Sequence, residues 1–156
     1  MKLNTQTLIL NLHRDPISGI TLDLSSKNIT TLLPLLSLLP PSSSYPPPSS
    51  AYPPPSSSYP LPYSSSYRPP PPSSSSSLPP PDEIRIFLGR YNYLKVIEDV
   101  FDYFGNLKIL DLSVNHISDM GNLKSLIYLE HLNLSQNRIS KIEGIANLKR
   151  LTYLVF

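Results

Sequence analysis

The chain has no cysteine among its 156 residues, only five glycines, and only 15% charged residues. Without cysteine there is no disulfide framework, which fits a reducing compartment. The five glycines are scattered, so no glycine-rich loop can cradle a phosphate. A formal net charge of +2 without a basic cluster argues against a nucleic-acid surface. Long apolar runs are missing too. Leu32–Leu39 is too short to span a bilayer and is interrupted by Pro34. Met1–Leu12 is too short and too polar for a secretory signal. The expectation is a soluble, intracellular, cytoplasmic protein with neither a membrane nor a nucleic acid as partner.

What is abundant is leucine at a fixed period. Leu107, Leu129 and Leu151 stand 22 residues apart and each opens the same phrase. Leu107-x-x-Leu110-x-Leu112-x-x-Asn115-x-Ile117 recurs as Leu129-x-x-Leu132-x-Leu134-x-x-Asn137-x-Ile139, and begins again as Leu151-x-x-Leu154-x-Phe156. Such a period marks a solenoid, in which each unit buries its apolar face only against its neighbours. Period-2 spacing at Leu110 and Leu112 suits a strand with one buried face, and the Asn can satisfy backbone groups where the chain turns inward.

After each Asn-x-Ile the apolar residues fall every third position: Ile117, Met120, Leu123, Leu126, then Ile139, Ile142, Ile145, Leu148. Spacing of three suits 3₁₀ or short α-helical turns. The stretches NLKILDLSVNHIS and LEHLNLSQNRISKIEGIANLKRL resemble the 22-residue leucine-rich repeats of the protein phosphatase 1 regulatory subunits and of ciliary and centrosomal scaffolds. The resemblance implies an α/β repeat solenoid, with short parallel strands backed by 3₁₀ or short helical turns, that works by binding protein.

Upstream, Leu22-x-Leu24 followed by Ile29, Leu32, Leu35 and Leu38 has the phase of Leu110-x-Leu112 and its sequel, with Lys27 where Asn is expected and Asn28 beside it. A further unit centres on Asn92-x-Leu94, Ile97 and Val100. Its strand is either Ile84, Phe87 and Gly89, or Ile86 and Leu88 with a bulge. One extra residue before Phe104 lengthens this unit to 23 residues, within the range such repeats tolerate. Leu3, Leu8, Leu10 and Leu12 are candidates for an N-terminal cap.

Between these units, residues 40–81 are almost wholly Pro, Ser and Tyr, with Arg68 the one charge before Asp82 and with Tyr45, Tyr52 and Tyr59 at a spacing of seven. A segment poor in aliphatic side chains and in backbone donors is expected to be disordered and rich in polyproline II. The repeat phase places the next opener at position 41, but Ile84 is the next usable one, so the insertion runs 43 residues, from 41 to 83. Its removal would rejoin two repeats in frame, as expected of a loop between units. Pro, Ser, Leu and Tyr codons are pyrimidine-rich, as sequence near intron ends often is, so a gene-model artefact is the competing expectation. The domain plan is therefore 1–39 with one degenerate repeat, 40–83 as a disordered insertion, and 84–156 as repeats. Phe156 falls mid-strand with no polar cap after it, which suggests a fragment.

Chemistry-bearing motifs are few. Asn28-Ile-Thr and Asn133-Leu-Ser match the glycosylation sequon but follow from the repeat consensus. His116 and His131 have no Cys or acidic partner at ligand spacing. Ser113 or Ser135 with His131 lacks any oxyanion signature. The expectation is no enzyme, no cofactor, no metal and no small-molecule substrate.

The remaining candidate is the concave face. Residues between and flanking the buried leucines point outward and stack in three rows: Ile109, His131 and Tyr153; Asp111, Asn133 and Val155; Ser113 and Ser135. Tyr153 with His131 is the expected hot spot for a partner protein, aromatic residues being the usual anchors. A phosphatase-docking motif of the basic-Val/Ile-x-aromatic type is absent, Arg85-Ile86-Phe87-Leu88 being a near miss. Two other readings stand beside this scaffold: a ligand for proline-recognising domains, with Pro69–Pro72 after Arg68 the best segment, and a gene-model fragment without independent function.

Overall fold

The computed structural model describes residues 11–37 and 79–156. The chain divides into residues 1–40 with 77–156, and residues 41–76. The second unit lies outside the described residues. So do Leu3, Leu8, Leu10 and Leu38, the expected disordered segment with its tyrosines, and the proline-recognition reading at Arg68 and Pro69–Pro72.

Six strands form one sheet in sequence order: β1 (Leu12–Asp15), β2 (Gly19–Asp23), β3 (Ile84–Leu88), β4 (Ile109–Asp111), β5 (His131–Asn133) and β6 (Tyr153–Val155). From β2 to β6 every pairing is parallel, and the register is that of the 22-residue period. Leu110 lies opposite Leu132, which lies opposite Leu154. Phe87 lies opposite both Leu22 and Leu110. This is a repeat fold of leucine-rich units, with one buried and one open sheet face.

The units are backed by 3₁₀ segments at Leu33–Ser37, Asp99–Tyr103 and Gly121–Leu123, with another at Pro81–Glu83 before β3. No α-helix occurs among the described residues, so the α/β label gives way to β with 3₁₀ backs. A side-chain repeat of three fits the 3₁₀ pitch, and runs this short gain little from α hydrogen bonds. The Asp99–Tyr103 segment, five residues like Leu33–Ser37, lies in the 23-residue unit.

The uncertain register of the second unit is resolved as Ile84, Phe87 and Gly89. These occupy the places of Leu107, Leu110 and Leu112, and the pairing slips between Ile20 and Thr21, which skips Arg85. Gly89 replaces a leucine because its neighbours fill the volume. A Cβ there would stand 2.9 Å from Leu112 Cδ2 and 3.2 Å from Phe87 Cε1. Phe87 packs edge-on against Phe101, with centroids 5.0 Å apart and planes at 77°, and against Phe104 at 5.9 Å. All three rings are fully buried.

Residues 79–83 belong with the repeats, not with the insertion whose expected boundary was 83. Pro79 and Pro81 are buried, and the Asp82 carbonyl accepts from Asn106 Nδ2. At the N-terminal edge β1 pairs antiparallel with β2. The connecting turn is held by Asp15, whose Oδ1 accepts from the N–H groups of Ile17 and Ser18, each at 2.8 Å. Those donations, Ser18 first, hold the Asp15 carboxyl below its ordinary value of 3.8. The hairpin satisfies the β2 edge that would otherwise be open to pairing.

Between strands and backs runs a ladder of asparagines. Asn115 is 4% exposed. Its Nδ2 donates to the carbonyls of Gly89, Leu112 and Ser113 at 3.0, 3.0 and 3.2 Å, and its Oδ1 accepts from Leu94 N–H at 3.0 Å. Each such side chain therefore closes its own turn and ties it to the preceding unit. Asn137 does the same toward Leu112 and Ile117. Asn92 reaches back to the Leu24 carbonyl and accepts from the N–H groups of Lys27 and Ile29. Lys27 stands at the ladder position of the first unit, and its N–H donates to Asn92 Oδ1, so this unit is tied to the next without an asparagine of its own. Glu98 adds a second tie, accepting from the Thr31 hydroxyl and the Leu32 N–H.

The residue before each ladder position adopts left-handed backbone: Ser26, Tyr91, Val114 and Gln136 have φ of 57°, 56°, 57° and 55°. Valine is poorly suited to this region, because its branched Cβ crowds the following carbonyl. Val114→Asn is expected to stabilise the protein by about 0.5–1 kcal/mol, read as a raised unfolding temperature. An unchanged or lowered temperature would show that the strain is compensated by packing.

Candidate interaction surface on the open sheet face

The pairing register aligns the open-face residues into rows. The first row is Thr21, Ile86, Ile109, His131 and Tyr153. Ile86 and Ile109 are half-buried, His131 is exposed, and Tyr153 is 53% exposed. The His131 and Tyr153 rings lie 5.5 Å apart at 30°, an offset pairing that holds both side chains in a defined orientation. Beside this row, the Lys108 ammonium pairs with the Glu130 carboxylate at 3.0 Å.

The β1–β2 turn stands at the far end of the row. Ile17 at its tip is 98% exposed. Between Pro16–Gly19 and the row residues Ile86, Ile109 and His131 lies an open depression of about 330 Å³. Sequence reasoning did not find Ile17, because nothing in Leu12–Asp15 carries the repeat pattern and the antiparallel hairpin is set by the Asp15 turn. It also left Ile86 out of the row, having two registers open for β3.

The second row is Asp23, Leu88, Asp111, Asn133 and Val155. Its polar members are already engaged. Asp23 Oδ1 accepts from Ser25 N–H at 2.9 Å, Asp111 Oδ1 from Ser113 N–H at 3.0 Å, and Asn133 Oδ1 from Ser135 N–H at 3.1 Å. Asp111 Oδ2 also receives Asn133 Nδ2 at 3.3 Å and stands 3.9 Å from Arg90 Nε. These side chains close the strand ends, the two-residue turn that Asp and Asn favour. Val155 is half-buried beside them.

The third row departs from expectation. Ser113 is 6% exposed, and Ser135 is half-buried. The strict in-out alternation of a strand ends at Asp111, and the buried Asn115 then holds the chain inward, its Nδ2 donating to the Ser113 carbonyl. Ser113 is therefore removed from the contact surface, and Tyr153 is the one large, exposed hydrophobic side chain among the described residues of the three rows.

Among the described residues, no group of three or more His, Cys, Asp or Glu side chains is placed to hold a metal, and no helix is long and apolar enough to cross a membrane.

No protein-family model matches the chain. A 53-residue stretch is 47% identical to the septation initiation network scaffold protein cdc11 of Schizosaccharomyces pombe, covering 31% of this chain and 5% of that protein. Among solved structures the chain is similar to an internalin of Listeria monocytogenes, at 27% identity over 47% of this chain and 22% of that one, with a TM-score of 0.44. It is also similar to the leucine-rich repeat ectodomain of the receptor kinase SOBIR1 from Arabidopsis thaliana, at 30% identity over 48% of this chain and 43% of that one, with a TM-score of 0.41. The chain thus spans about one twentieth of its curated relative and less than half of either solved chain. The leucine-rich repeat fold stands on the register of β2–β6 and on the asparagine ladder, not on these superpositions.

Proposed function

We propose that the chain is a non-catalytic interaction module of an intracellular scaffold, capturing a partner protein on the open sheet face as the concave side of a solenoid. The observation that carries this reading is the first row. Ile86, Ile109, His131 and Tyr153 present apolar and aromatic area in register across four strands, whereas the polar side chains of the second row close strand ends. Rigid aromatic anchors with little ordering entropy to lose are the usual centre of a protein interface. The likeness of one stretch to a septation scaffold supports scaffolding. The resemblance of the repeats to phosphatase regulatory and ciliary proteins supports a setting of either kind, in the cytoplasm, the cilium or the centrosome.

The double variant His131→Ala/Tyr153→Ala is expected to abolish capture of the native partner. Both side chains are exposed, so the unfolding temperature should stay within about 2 °C of the parent. Undiminished capture would contradict the assignment. Loss accompanied by a large fall in unfolding temperature would reassign the pair to stability.

A further inference from the structure

We draw no further inference here: the strongest candidate, the apolar face along the outer edge of β6, where Phe156 is 59% and Ile142 45% exposed and Leu151 and Leu154 are half-buried, carries nothing because no observation in the structure shows what covers it.

Discussion

Asn115→Leu is expected to cost about 3–5 kcal/mol, among the largest single losses available in this chain. The leucine cannot replace the four hydrogen bonds that Asn115 makes to Gly89, Leu112, Ser113 and Leu94. Each buried group left without a partner costs about 1–3 kcal/mol, and neighbouring losses add less than fully. The loss should be graded by position. Asn137 makes an equivalent set of contacts but is only half-buried, so water can replace part of what Asn137→Leu removes. Asn147 lies outside the ladder and is exposed, so as a control its substitution should stay within about 0.5 kcal/mol. Chemical denaturation of the three variants checks the order. Equal effects at 115 and 147 would mean that the ladder contributes little.

Gly89→Leu restores the residue found at this place in the next two units and should nevertheless destabilise by about 3 kcal/mol. Overpacking of a filled core costs about 1–3 kcal/mol and occasionally more. Here even the Cβ meets Leu112 and Phe87, and the remaining leucine atoms have only the volume of the Phe87 ring to enter. Phe87→Leu alone leaves a cavity beside Phe101 and Phe104, costing about 1–2 kcal/mol. Combined, Phe87→Leu/Gly89→Leu should be more stable than the sum of the two, because each change supplies what the other lacks. A coupling of about 1–3 kcal/mol is expected from a double-mutant cycle. Strict additivity would show that Phe87 and Gly89 are not exchanging volume.

The strands, their parallel order and most of the core were legible from one period. Leu110, Leu132 and the residues Ile117, Met120, Leu123 and Leu126 are buried as their positions predict, whereas Ile142, at an equivalent position in the next unit, is 45% exposed. What was not legible depends on contacts between units. Lys27 reads as a broken consensus until Asn92 is seen to bond the Lys27 and Ile29 N–H groups from the next unit. Ser113 reads as an outward residue until Asn115 draws the strand end inward. Asp111 and Asn133 read as free contact residues, yet each accepts from the backbone two residues on, a local bond that competes with solvent and leaves no trace in the pattern of apolar positions. The β1–β2 hairpin follows from the Asp15 turn, not from the repeat.

A photo-crosslinking amino acid placed at 109, 131 or 153, and at 127 for comparison, tests the sheet-face assignment most directly. Ile127 is 49% exposed but lies in the connection before β5. Cross-links from 109, 131 and 153 to one and the same protein, with none from 127, are the predicted result. Cross-linking of the partner from 127 alone would place the interface off the open sheet face and contradict the account.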